Sequence, residues 1–114
     1  PRLETSVIME EKRKHLRVSI FAFITVTRNH KKIDAIAYDV SLGGISFVNS
    51  LIFEVGDACS IEFNHNGLNV KRNGAVRWRN IVSKVVGMKR YGFEFDSILS
   101  DGDFNRICEL FIEE

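Results

Sequence analysis

Apolar residues recur at every second position in one stretch after another between Leu16 and Asp96, and that period confines the chain to a strand-built architecture. In LRVSIFAFITVT (16–27), Val18, Ile20, Ala22, Ile24 and Val26 alternate with Arg17, Ser19, Phe21, Phe23 and Thr25, and β-branched residues are prominent. After the turn RNHKK, the stretch IDAIAYDVS reads as a strand with Ile36, Tyr38 and Val40 on one face and Ala35, Ala37, Asp39 and Ser41 on the other. LGG breaks that run, ISFVNS resumes it, and ACSIEF alternates Cys59, Ile61 and Phe63 with Ser60 and Glu62. HNG is a hairpin signal leading into LNVKRNGAVRWRNIVS, and VVGMKRYGFEFD follows with Tyr91, Phe93 and Phe95 sharing a face that reads as core. At residue 100 the period changes. Ser100 with Asp103 three positions later resembles a capping box, and Phe104, Ile107, Cys108 and Phe111 follow helical spacing. About six strands and one closing helix predict an antiparallel barrel or strongly curved sheet, with the helix covering an apolar opening.

Size and composition fit that picture. The chain's 114 residues suit one domain, and 45% hydrophobic with 27% charged residues is a globular composition. Cys59 and Cys108 lack metal-ligand spacing and read as reduced core thiols, which favours a cytoplasmic location. No apolar run reaches the roughly 18 residues of a transmembrane segment, and no signal-peptide pattern opens the chain. His15, His30 and His65 have no spacing that suggests a metal or a general base and read as surface or loop residues. With no nucleophile beside a base and no carboxylate pair, the chain does not read as an enzyme.

The net charge is only +1, yet Lys12, Arg13, Lys14 and Arg17 crowd together just before the first strand. Electrostatic function is therefore local rather than global. Arg13 and Arg17, four apart, project to the same side in either a helical or an extended segment. Their guanidinium forks match phosphate oxygens or the O6/N7 edge of guanine. Asp39 offers acceptors suited to adjacent N–H donors such as guanine N1 and N2, and Ser41 adds a hydroxyl. Gly43 and Gly44 leave room for something flat or bulky to approach the backbone.

The spacing Arg13-x-x-x-Arg17 followed by Asp39-x-Ser41-x-x-Gly44 resembles the PilZ family, whose members bind the bacterial second messenger cyclic di-GMP. The resemblance extends through GAVRW and YGFEF to the final helix. It implies a mainly β fold, a six-stranded antiparallel barrel with a C-terminal α-helix. It also implies a mobile segment 1–17 carrying the two arginines, and a barrel over 18–114, within a single domain. By that resemblance Arg13 and Arg17 grip phosphates and guanine edges, while Asp39, Ser41 and Gly44 surround a guanine. Lys12 stands where some relatives carry an extra basic residue that accompanies an intercalated ligand dimer. Trp78, between Arg77 and Arg79, reads equally as a stacking aromatic or, sharing a face with Val76, as core. The expected ligand is cyclic di-GMP, no cofactor is expected, and the downstream partner would be an unidentified protein or fused domain.

Blander readings exist for each motif taken alone. A basic stretch at a domain edge is ordinarily a solvated face or arm, and D-x-S-x-x-G serves equally as an Asx or Ser turn. Two other functions compete with the receptor: a PilZ-like protein-interaction module that binds no nucleotide, and a barrel for single-stranded nucleic acid. The near-zero net charge counts against nucleic acid.

Overall fold

A computed structural model gives the fold and describes residues 15–80 and 87–112. Lys12 and Arg13 lie outside the described residues. Six strands, β1 (Val18–Arg28), β2 (Lys31–Ser41), β3 (Gly44–Asn49), β4 (Ala58–His65), β5 (Leu68–Asn80) and β6 (Lys89–Phe95), precede the helix α1 (Asp101–Phe111). They close into a barrel in the order β1-β2-β3-β6-β5-β4, every neighbouring pair antiparallel. The chain is thus mainly β, a closed six-stranded antiparallel barrel with one C-terminal helix.

Local chemistry accounts for the tight connections. Asn29 and His30 both take positive φ, 53° and 66°, and Asn66 and Gly67 do the same at 48° and 84°. Left-handed pairs of this kind match the twist of two-residue hairpins, and Asn and Gly tolerate them best. The period-two pattern of β1 buries Ile20, Ala22, Ile24 and Val26 and leaves Phe21 and Phe23 outside. Tyr91, Phe93 and Phe95 are buried, as their spacing predicts.

Two strands depart from simple alternation. In β2 the buried apolar residues are Ala35, Ala37 and Val40, with Ser41 buried after them, and Ile36 and Tyr38 do not share a face with Val40. A register shift against β3 between Ala37 and Asp39 leaves Tyr38 as an extra residue. Such a bulge exchanges the faces of everything beyond it, which strict alternation cannot foresee. In β5 a second shift, against β6 between Val76 and Trp78, makes Arg77 the extra residue. Val76 stays fully buried while Trp78 turns outward, 40% exposed, so the two do not share a face.

Each barrel end is plugged. At the end where β1, β3 and β5 finish, Phe53 from the β3–β4 loop packs against Phe47 and Tyr91 with ring centroids 5.4 and 5.1 Å away. The Tyr91 hydroxyl donates to Leu51 O at 2.8 Å and accepts from Phe53 N at 3.1 Å, so its burial leaves no orphaned polar group. At the other end α1 seats Ile107, fully buried, with Phe104, Cys108 and Phe111 partly buried around it. The Ser100 side chain caps the helix by accepting from Asp103 N at 3.0 Å, and Arg72 pairs with the Asp103 carboxylate at 3.6 Å. Among the described residues no helix is long and apolar enough to cross a membrane.

Candidate functional site

Of the residues singled out in the sequence, Arg17, Asp39, Ser41, Gly43, Gly44 and Trp78 lie at the helix end of the barrel. Arg17 enters just before β1 and donates from Nη1 to Asp39 Oδ1 at 2.9 Å, with Ser46 Oγ 3.5 Å from the same nitrogen. Both partners are partly exposed, so this ion pair holds two reactive groups in place without burying them. The β2 bulge is what makes the pairing possible. By adding Tyr38 it turns Val40 into the core and leaves Asp39 outside, opposite Ser19 of β1 and next to Ser46 of β3. Burial pushes the Tyr38 phenol above its ordinary value; a hydrogen bond with Ser46 opposes this, the Asp39 charge adds to it, and Arg90 and Arg17 oppose it.

Ser41 and the glycines have structural partners of their own. The Ser41 hydroxyl accepts from Gly43 N at 3.3 Å and donates to Gly44 O at 3.4 Å, closing the β2–β3 turn. Gly44 pairs with Glu94 across the β3–β6 ladder, and a Cβ there would lie 2.2 Å from the Phe93 carbonyl oxygen. At Gly43 a Cβ would come within 2.9 Å of the His15 ring, so His15 folds over the turn.

Beside this turn opens a cleft of about 460 Å³. His15, Arg17, Ser41 and Gly43 form one side, and Arg77, Trp78 and the β6 residues Gly92 to Phe95 form the other. Its far wall depends on the second bulge, which turns the Trp78 indole outward against Gly92. A Cβ at Gly92 would stand 2.0 Å from Trp78 Nε1, so only a glycine lets the ring lie there. Arg77 is held by Glu94, to which its Nε donates. The cleft therefore offers guanidinium forks, a carboxylate, a hydroxyl and an exposed aromatic face, a set suited to an anionic ligand with flat, hydrogen-bonding rings.

Arg17, Ser41, Gly43 and Trp78 line this cleft, Asp39 adjoins it through Arg17, and Gly44 underlies it. Sequence reasoning passed over His15, Gly92 and Glu94. The signal for Gly92 was present in YGFEF, a glycine between two core aromatics, but its partner Trp78 becomes visible only with the bulge.

Fold and cleft together define a small closed-barrel domain whose polar site lies beside the helix end. The chain belongs to the PilZ domain family, whose model matches residues 11–112. Among solved structures it is similar to the inhibitor of motility MotI/DgrA of Bacillus subtilis, with 18% identity and TM-score 0.66 over 86% of this chain and 48% of that one. The PilZ domain of YcgR from Escherichia coli, solved with c-di-GMP, aligns at 16% identity and TM-score 0.66 over 87% of this chain and 88% of that one. PlzA of Borreliella burgdorferi, in complex with c-di-GMP, aligns at 17% identity and TM-score 0.62 over 90% of this chain and 43% of that one. The chain thus spans about half of the Bacillus and Borreliella proteins. No curated protein sequence matches it.

Proposed function

We propose that this chain is a bacterial, cytoplasmic cyclic di-GMP receptor domain, a binding module rather than an enzyme, that takes the ligand where segment 12–17 meets residues 39–44. The observation that carries this reading is the Arg17–Asp39 pair at the mouth of a cleft walled by Trp78 and Arg77. Membership of the PilZ family and the ligand bound in the similar YcgR and PlzA structures support it. In this reading Arg13 and Arg17 hold phosphates and guanine edges, Asp39 accepts from guanine N1 and N2, and Ser41, Gly43 and Gly44 form the floor. Trp78 offers its face to a base. Lys12 adds a cation that favours a second, stacked ligand.

Segment 1–17 acts as an arm on the barrel of residues 18–114. Ligand phosphates neutralise Lys12, Arg13, Lys14 and Arg17, the arm is fixed against the barrel, and the altered surface is read by a protein partner or fused domain. Titration calorimetry with cyclic di-GMP, pGpG, GTP and a short oligonucleotide tests the binding. Charge-assisted contacts are worth about 1.5–3 kcal/mol each, so Arg13→Ala or Arg17→Ala weakens cyclic di-GMP roughly ten- to a hundredfold. Full affinity in both folded variants refutes the site. Hydrogen exchange tests the arm separately, because equal protection of residues 10–17 with and without ligand refutes the ordering and leaves binding intact.

One observation favours a second reading. Ser41 and Gly44 are each accounted for by turn closure and strand approach alone, as a nucleotide-free interaction module requires. The same calorimetry decides, since that module gives no heat with any of the four compounds.

A further inference from the structure

The barrel end farthest from the cleft carries a different surface. There the β3–β4 loop sends Phe53 into the core and leaves Leu51, Ile52 and Val55 outside, 46%, 57% and 60% exposed. The loop is pinned rather than floppy. Arg28 Nη1 donates to Ile52 O at 2.8 Å, the Tyr91 hydroxyl to Leu51 O at 2.8 Å, and Leu51 N to Asn49 Oδ1 at 2.7 Å. Aliphatic side chains of this size held in water on a fixed loop call for a partner.

The charges around the loop say which kind. Lys31 pairs with Arg28 in the β1–β2 hairpin, Lys32 follows it, and Lys89 pairs with Asn49 while its Nζ lies 3.4 Å from Ser50 O. Arg28 and Arg79 are matched by Asp57 and Glu54 at 3.3 and 3.2 Å. Among the described residues of the β2 and β6 ends around the loop, Lys31, Lys32, Lys89 and Arg90 stand against Asp34 alone, so this end is positive on a chain of net charge +1. Leucine, isoleucine and valine ringed by lysines is a poor match for a protein interface, whose core is enriched in aromatics and arginine and depleted of lysine. It is a good match for a lipid surface, where short aliphatic groups enter the acyl boundary and strongly hydrated ammonium groups stay among phosphates.

We propose that the tip Leu51–Val55, with Lys31, Lys32 and Lys89, docks this domain on an anionic membrane surface. Docked this way, the barrel axis stands off the membrane and the cleft at the helix end faces away from the lipid.

Flotation of the full chain with phosphatidylcholine vesicles, with and without about 30% phosphatidylglycerol, tests the proposal. The chain is expected to float with the anionic vesicles, to stay behind with neutral ones, and to release as salt rises. Lys31→Gln with Lys32→Gln, both on an exposed hairpin, is expected to weaken vesicle binding about fivefold per lysine. Leu51→Ser with Ile52→Ser is expected to weaken it on the order of tenfold or more, circular dichroism confirming the fold. Lys71→Gln with Arg106→Gln, elsewhere on the surface, is the control for nonspecific charge. Failure to float with anionic vesicles, equal flotation with neutral ones, or no loss in the lysine pair beyond that of the control overturns the proposal. A partner protein of matching chemistry would be the occupant in the first case.

Discussion

Gly44 and Gly92 sit on adjacent strands and both forbid a Cβ, but for different reasons, and the difference is measurable. At Gly92 the obstructing atoms belong to the Trp78 indole, 2.0 Å away at Nε1 and 2.3 Å at Cε2. Contact needs about 3.5 Å, so the ring in Gly92→Ala must retreat by about 1.5 Å. Trp78 is already 40% exposed and has solvent to rotate into. An off-rotamer side chain costs about 0.5–1.5 kcal/mol, and uncovering a few tens of Å² of apolar surface adds up to about 1 kcal/mol, giving about 1–2 kcal/mol in total. At Gly44 the obstruction is the Phe93 carbonyl oxygen at 2.2 Å, part of the β3–β6 ladder. No rotamer relieves it. Strands must part, so Gly44→Ala is expected to cost about 3 kcal/mol or more from overpacking and lost ladder hydrogen bonds. Urea unfolding followed by circular dichroism gives both values, and Trp78, the one tryptophan in the chain, reports on the cleft by its emission. The Gly92 variant should stay folded with red-shifted emission. Equal destabilisation by the two variants, or unchanged emission in Gly92→Ala, refutes the reasoning.

Tyr91→Phe removes the donor to Leu51 O and the acceptor for Phe53 N, and is expected to cost about 1–3 kcal/mol in chemical denaturation; a neutral result would mean water replaces both bonds. Ile107→Ala opens a cavity under α1 and should destabilise by about 2–5 kcal/mol, with a loss under 1 kcal/mol showing that the helix is not a true plug. Burial pushes the Cys59 thiol up, with Asp57 adding to the shift and Arg28 opposing it, and burial also pushes Cys108 up. The thiolate is the nucleophile, so iodoacetamide should label both more slowly than a free cysteine at the same pH and faster as pH rises, whereas labelling at the free rate near neutrality would contradict their burial.

The strands and the helix were legible because β1, β4 and the tail keep one period throughout. Ser100 and the 104–111 spacing gave the helix its start and inner face, and NG gave the β4–β5 hairpin. Of the proposed site, Arg17, Asp39, Ser41 and Gly44 are named by motif, and the fold brings these four to one end of the barrel. Geometry was hidden at two single residues, Tyr38 and Arg77, whose insertion exchanges faces while leaving composition untouched. That is why Ile36 and Tyr38 were read as sharing a face with Val40, and Trp78 as sharing one with Val76. A bulge is set by how neighbouring strands meet, and a single strand's sequence does not contain that information.

Arg17, held to Asp39 just before β1, is the fixed point to which the basic residues upstream are covalently joined. Arg13 is four residues upstream, and a fully extended chain spans about 3.5 Å per residue, so its Cα stays within about 14 Å of Arg17 whatever path the segment takes. Under the proposed function, capture of a phosphate by Arg13 would be an intramolecular event at high effective concentration. In Asp39→Ala the Arg17 guanidinium loses the partner that positions it, while the covalent reach to Arg13 is unchanged. Such a variant should bind more slowly as well as less selectively, with the on-rate falling even for ligands that lack a guanine.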